Sequence, residues 1–171
     1  LICKYKKINN AIAVNSCTAA LHLSLLAIGI KKGDEIILPS MTFTATANAI
    51  IHAGGVPVFA DCNIETLNID IKDIEKKITK KTKAIIPVHF AGRPCEMDQI
   101  MLIAKKFDLK VVEDCAHAIE TKYKDKFVGT FGDIGCLSFY VTKNVVTGEG
   151  GALITNNVKY ANKIKVLALH G

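Results

Sequence analysis

Short apolar runs recur along this chain, and each is separated from the next by a segment with helical patterning. Strands are predicted at residues 35–38, 56–59, 84–88, 109–112, 134–139 and 152–154, and helices at residues 18–28, 44–53, 70–78, 96–107 and 159–169. Continuous apolar strands are typical of a sheet that is covered on both faces. The alternation therefore predicts an α/β fold with a mostly parallel sheet and helices on both faces.

Length and patterning bound the organisation of the chain. Its 171 residues, half of them hydrophobic, suffice for one domain with a substantial core. No apolar stretch reaches the roughly 18 residues of a membrane span, and the basic start does not resemble a signal peptide. The chain opens in mid-pattern and stops directly after a helix. We therefore expect residues 1–171 to form one domain, incomplete at both ends, of a longer protein.

The net charge and the spacing of the cysteines indicate which ligands and which cellular compartment suit this chain. The net charge of +6 is compatible with a site for phosphate or a nucleotide sugar, and equally with a solvated lysine-rich surface. Scarce aromatic residues argue against a nucleic-acid platform. The six cysteines include no CxxC pair and lie far apart, so neither a zinc site nor a disulfide framework is expected. Reduced, mostly buried thiols predict a cytoplasmic protein.

Two residues near predicted strand ends suggest a cofactor held as a Schiff base. Lys143 follows the run 134–139 and precedes a glycine-rich turn, and Asp114 follows the run 109–112. A lysine can bind an aldehyde cofactor covalently, and a carboxylate at a sheet edge can keep a pyridine nitrogen protonated. Two structural explanations stay open: Asp114 could cap a helix, and the glycine turn could be a plain connection.

Other polar and aromatic positions have a functional and a structural explanation each. Residues 15–18 begin an apolar helix whose free N–H groups could bind phosphate, although simple helix capping explains them as well. Phe43 could stack on a flat ring or pack in the core. His117 could bind a cofactor oxygen, and Ser138 a phosphate, or both could be structural. No GxGxxG or Walker A sequence occurs, so a Rossmann or P-loop nucleotide site lacks its fingerprint.

Six segments, in order across nearly the whole chain, carry a resemblance to a known family. They are NSCTAALHL (15–23), PSMTFTAT (39–46), TLNID (66–70), PVHFAG (87–92), EDCAHA (113–118) and the whole of residues 132–151. In these segments the chain resembles the DegT/DnrJ/EryC1/StrS family of pyridoxal-phosphate (PLP) sugar aminotransferases. The resemblance implies the large, cofactor-binding domain of a fold-type-I PLP transferase. It also implies that a small C-terminal domain is missing and that the active site lies at a homodimer interface.

The same resemblance implies a role for each candidate residue. Lys143 would bind PLP covalently and later move the proton between the cofactor and the sugar. The other contacts are implied for Asp114 at the pyridine nitrogen, His117 beside the phenolic oxygen, Phe43 on the ring face, and Cys17, Thr18 and Ser138 at the phosphate. Cys17, which would bind through its backbone N–H, replaces the glycine usual in this turn, so a positive φ there would carry a cost.

The lysine also bears on the reaction. Related dehydratases on this scaffold carry histidine at the position of Lys143, so the resemblance favours transamination. It implies glutamate as the amino donor and a nucleotide-linked keto hexose as the acceptor, in surface-polysaccharide or amino-sugar biosynthesis. Two alternatives stay open: a PLP-dependent sugar dehydratase, and a PLP-binding remnant without turnover. A Rossmann-like dehydrogenase would need the missing glycine fingerprint.

Overall fold

Seven strands form one mixed sheet in the computed structural model, which describes residues 1–169. The strands of the chain are β1 (Asn10–Val14), β2 (Glu35–Pro39), β3 (Val56–Ala60), β4 (Thr82–Ile85), β5 (Lys110–Cys115), β6 (Lys122–Tyr123), β7 (Lys126–Phe127), β8 (Ile134–Ser138) and β9 (Gly151–Thr155). The helices are α1 (Ile2–Lys6), α2 (Cys17–Ile28), α3 (Thr44–His52), α4 (Ile71–Lys77), α5 (Met97–Lys106) and α6 (Val158–Leu169), with a 3₁₀ turn at Phe90–Gly92. Strands β6 and β7 form a separate small hairpin.

The order of the strands in the sheet is β1-β9-β8-β5-β4-β2-β3. The five strands from β8 to β3 pair in parallel, and β9 alone runs antiparallel to both of its neighbours. The prediction of a mostly parallel sheet is confirmed. Because β9 is reversed, it follows β8 through a loop and needs no crossover helix. That loop, residues 139–150, carries Lys143 past the carboxyl end of β8.

Helices cover both faces of the sheet, as the continuous apolar strands require. Ile36, Leu38 and Val112 lie in a core with side chains of α2, α3 and α6, whereas Ile37 and Val111 lie in a second core with α4 and α5. Successive residues of one strand therefore pack against opposite layers. None of the helices within residues 1–169 combines the length and apolar character that crossing a membrane requires.

Two strand boundaries differ from the prediction in a way that matters for the site. β5 continues to Cys115, three residues beyond the predicted end, so Asp114 lies inside the strand and does not cap a helix. β4 ends at Ile85, and the chain beyond it stays beside β5 only through a bridge from Val88 to Asp114. The α1 helix and the β6–β7 hairpin were not predicted, because elements of two to five residues are too short to show a period.

Candidate active site

One cavity of about 590 Å³ opens at the carboxyl ends of the parallel strands. Its walls contain all seven residues predicted from the sequence: Cys17, Thr18, Phe43, Asp114, His117, Ser138 and Lys143. The topology explains the convergence, because β5 and β8 are parallel neighbours whose ends meet at one sheet edge. A second, more open groove of about 860 Å³ beside α1 contains none of the seven.

Asp114 is the most constrained of these residues. Only 5% of it is exposed, and its carboxylate accepts hydrogen bonds from one hydroxyl and one N–H, those of Thr46 (3.1 Å) and Ala116 (3.1 Å). No lysine or arginine within residues 1–169 lies at ion-pair distance from it. Burial raises the pKa of Asp114, and the two hydrogen bonds offset this only in part. The carboxylate therefore faces the cavity without a positive partner.

The beginning of α2 supplies donors without acceptors. Ser16 is the N-cap, and its hydroxyl accepts a hydrogen bond from the Ala19 N–H (3.1 Å). Within the described part of the chain, the N–H groups of Cys17 and Thr18 have no acceptor. Unpaired N–H groups at the positive end of a helix are suited to bind a phosphate. β9 begins against this turn, where a Cβ on Gly151 would lie 2.4 Å from the Ser16 carbonyl carbon, so only glycine fits.

The cysteine in the turn is neither strained nor reactive. Cys17 is the first residue of α2 and has no positive φ, so the expected cost of replacing glycine does not arise. Its Sγ lies 4.0 Å from Asp114 Oδ1. Burial, followed by the charge of Asp114, raises the pKa of this thiol well above its ordinary value. Cys17 is therefore protonated at neutral pH and can act only as a weak donor.

Lys143 lies in a loop with defined backbone hydrogen bonds. Its N–H donates to the Tyr140 carbonyl (2.9 Å), and the loop is closed by the Thr147 N–H, which donates to the Phe139 carbonyl (2.9 Å). The Lys143 side chain is half-buried in the cavity wall. Burial, and then the positive charge of Lys143, lowers the pKa of His117, which keeps that imidazole neutral at neutral pH.

Two further predicted residues have side chains available to a ligand. Phe43 is 81% exposed and directly precedes α3, so it does not pack in the core. Ser138 ends β8 and is 7% exposed. Its hydroxyl accepts a long hydrogen bond from the Tyr140 N–H (3.5 Å), which leaves its own hydrogen free to be donated.

The sequence prediction missed a buried clamp on the opposite face of β5. Glu113 is fully buried, and its carboxylate accepts hydrogen bonds from the N–H groups of Gly129 (2.6 Å), Phe131 (2.7 Å) and Gly132 (2.7 Å). His89 completes the set: its Nδ1 accepts from the Cys95 N–H (3.1 Å), so Nε2 carries the hydrogen donated to Glu113 (3.2 Å). A glutamate that directly follows the apolar pair Val111–Val112 in a buried strand was the available signal.

The clamp also holds the residue that follows it. The His89 N–H donates to the Asp114 carbonyl (3.1 Å), while the His89 ring is fixed by Glu113. Glu113, His89 and Cys115 lie close enough together to bind a metal ion. Both Glu113 oxygens are already occupied by N–H donors, and burial raises the pKa of the Cys115 thiol well above its ordinary value. We therefore interpret the cluster as a hydrogen-bonded support for β5.

Glu113→Gln should lower the free energy of unfolding by about 3 kcal/mol, because a buried, hydrogen-bonded charge is lost and an amide N–H faces other donors. Burial alone would raise the pKa of Glu113, but His89 and the backbone donors outweigh it and lower that pKa. The deficit should therefore be complete above about pH 4.3, the ordinary glutamate pKa, and should shrink as the pH falls through the lowered pKa. Urea unfolding at several pH values measures it, with the exposed Glu65→Gln as the control. Equal stability of the two variants would contradict the clamp.

The chain is similar to known proteins along its entire length. The family model "DegT/DnrJ/EryC1/StrS aminotransferase family" matches residues 1–171. The chain is 54% identical over 162 residues to the spore coat polysaccharide biosynthesis protein SpsC of Bacillus subtilis, covering 95% of this chain and 42% of SpsC. It is 52% identical over 147 residues to the GDP-perosamine synthase of Escherichia coli O157:H7, covering 86% of this chain and 40% of that enzyme.

A solved structure agrees with the fold. NtdA from Bacillus subtilis with bound cofactor PMP superposes with a TM-score of 0.91 and 38% identity, over 99% of this chain and 40% of that chain. The chain thus spans about two fifths of the length of these relatives. The match along the entire chain shows that it belongs to the DegT/DnrJ/EryC1/StrS aminotransferase family.

Proposed function

We propose that this chain is the cofactor-binding large domain, residues 1–171, of a PLP-dependent sugar aminotransferase. The observation that carries the proposal is a buried carboxylate without a positive partner, that of Asp114, in the same cavity as Lys143 and the start of α2. These three features are complementary to a ring nitrogen, an aldehyde and a phosphate. When bound, PLP would supply an electron sink that stabilises the carbanions formed while an amino group is transferred between two carbon skeletons.

In this proposal each polar group meets a different part of the cofactor. Asp114 would hold a proton on the ring nitrogen, which would supply the positive partner that the carboxylate lacks. Neutral His117 would bind the phenolic oxygen, and the exposed Phe43 would cover the ring. The Ser138 hydroxyl would bind the phosphate together with the free N–H groups of Cys17 and Thr18, the two groups that have no acceptor in the described chain.

Lys143 would hold the cofactor aldehyde through its Nζ, and the same amine would serve as the base that moves the proton during nitrogen transfer. Its half-buried side chain lies on a loop between two strand ends, so the amine is held at the cavity while the backbone stays fixed. The imidazole of His117 is neutral, so it does not place a second positive charge beside the Lys143 amine. Without the lysine, neither half of the nitrogen transfer has a base.

The substrates are proposed from the family and its members. The name of GDP-perosamine synthase refers to a GDP-linked sugar as the product, and the name of SpsC refers to polysaccharide biosynthesis. We infer a nucleotide-linked keto hexose as the acceptor and glutamate as the amino donor. The net charge of +6 is compatible with both anionic substrates. Because the relatives are more than twice as long as this chain, we propose that contacts to the sugar come mainly from regions of the relatives' length that these residues do not cover.

The reaction compartment proposed is the cytoplasm, where the thiols of a protein stay reduced. All six cysteines are free in the structure, and four of them are buried. This arrangement supports a protein that neither needs nor forms disulfide bonds.

Replacing Lys143 should abolish covalent attachment of PLP. The protein is mixed with PLP, reduced with borohydride and digested, and mass spectrometry locates the modified lysine. We expect the label on Lys143 in the wild type and no label in Lys143→Ala. Lys105→Ala, which removes an exposed lysine on α5, should behave like the wild type. A label on a different lysine in the wild-type protein would contradict the assignment.

The protein is also proposed to act as a homodimer. Four apolar side chains on and beside the Lys143 loop are exposed: Tyr140 (43%), Val141 (58%), Val145 (46%) and Val146 (51%). Exposed apolar side chains on a loop beside a site are suited to be covered by a partner. Light scattering of the full-length protein should give twice the mass of one chain, and Val141→Asp combined with Val145→Asp should shift that mass toward a single chain. A wild-type mass of one chain would refute the assembly.

A further inference from the structure

We propose that Thr46 is a positioning residue for the Asp114 carboxylate, and that Thr42 extends it into a hydroxyl chain that ties the Phe43 loop to that carboxylate. The inference rests on the proposed function, because the carboxylate matters for catalysis only if it meets the cofactor.

The contacts link two segments far apart in the sequence. Thr46 Oγ1 lies 3.1 Å from Asp114 Oδ2, and Thr42 Oγ1 lies 2.7 Å from Thr46 Oγ1. Thr46 is fully buried in the first turn of α3, whereas Thr42 is half-buried and lines the cavity. Between them, the Phe43 carbonyl accepts the Thr46 N–H (3.0 Å). The Phe43 backbone is therefore held by the same residue that binds Asp114.

The chemistry of the groups sets the direction of the chain. An ionised carboxylate can only accept hydrogen bonds, so Thr46 must donate its single hydroxyl hydrogen to Asp114. The Thr46 oxygen can then only accept from Thr42, whose hydroxyl hydrogen goes to Thr46 Oγ1 at 2.7 Å in preference to the Phe43 carbonyl at 3.4 Å. When Asp114 is protonated, the preference for this direction is lost, because the acid can itself donate. The hydroxyl chain thus stabilises the ionised form of Asp114 over the protonated form.

Several titratable groups lie near Asp114, on both faces of the sheet, and any pH measurement includes them. They are Cys17 on α2, Cys115 on β5 itself, Cys136 on β8, and His89 and His117 in the segments beside β5. Burial raises the pKa of each of the three thiols, so none of them ionises in the neutral range. His89 and His117 are common to all variants of Thr46, so a comparison between variants isolates the hydroxyl.

The first test measures affinity for PLP by absorbance titration of the full-length protein. Thr46→Val keeps the shape and removes the hydroxyl, and it should weaken binding about tenfold or more, as expected for one hydrogen bond to a charged group. Thr46→Ser should restore the affinity to within about twofold. Thr42→Val should weaken it by about threefold, and Thr44→Val, an exposed neighbour outside the cavity wall, should have no effect.

The second test needs no cofactor. The melting temperature of Thr46→Val should fall further below the wild-type value at pH 8 than at about pH 3.5, because the pKa of Asp114 is raised above the ordinary aspartate value of about 3.9, so the carboxyl is protonated at the lower pH and the lost hydroxyl matters least there. Thr46→Ser should show no such pH dependence. A purely structural role of Thr46 would give the same loss at both pH values, and that result would overturn the proposal. If Thr46→Val does not fold, the same comparison with Thr42→Val decides.

The outcomes separate this inference from the proposed function. If the wild type binds PLP on Lys143 and Thr46→Val binds it equally tightly, the inference is wrong and the function stands. If the wild type does not bind PLP while the pH-dependent loss of stability is present, the function is wrong, and Thr46 still stabilises the ionised carboxylate. Absence of both effects would refute both.

Discussion

Burying a carboxylate without a cation is unfavourable in free energy, and this structure contains such a carboxylate, Asp114, at the carboxyl end of a central strand. Transferring an ion from water into a protein interior costs several kcal/mol, and each hydrogen bond to a charged group returns roughly 1.5–3 kcal/mol. Asp114 has two close oxygen- and nitrogen-based donors, from Thr46 and Ala116, and its pKa is raised. A protonated ring nitrogen beside Asp114 would offset the desolvation free energy that these two hydrogen bonds leave uncompensated.

Glu113, the residue before Asp114, is a buried carboxylate whose burial is fully compensated by hydrogen bonds. Glu113 is buried as deeply as Asp114 in the same strand, but four N–H donors meet its carboxylate, and its pKa is lowered. Alternation along the strand sends the two acids to opposite faces of the sheet. The acid with complete hydrogen bonding fixes the strand against the 129–132 loop and His89, and the acid with incomplete hydrogen bonding faces the cavity. The rigid support on one face allows the other face to carry an under-satisfied charge.

The sequence predicted local features well and distant contacts poorly. Apolar runs and glycine stops predicted most elements, and the ends of β5 and β8 brought Asp114 and Ser138 to one edge together with the Lys143 loop. The reversed direction of β9 could not be predicted, because parallel and antiparallel buried strands have the same apolar pattern. Thr46 and His89 were missed for a different reason. Each lies in an ordinary helix or loop context, and its role depends on the pairing register that brings Asp114 or Glu113 beside it.

The most direct test of the proposed function is to measure the transfer of labelled nitrogen from glutamate to the sugar. Full-length protein with PLP is given ¹⁵N-glutamate and a GDP-linked keto hexose, and the sugar product is analysed by mass spectrometry. The account predicts that one ¹⁵N atom appears in the sugar, and that Asp114→Asn slows the transfer by at least about a hundredfold while Glu65→Gln does not. Loss of a hydroxyl from the sugar without incorporation of ¹⁵N would identify a dehydratase and contradict the account.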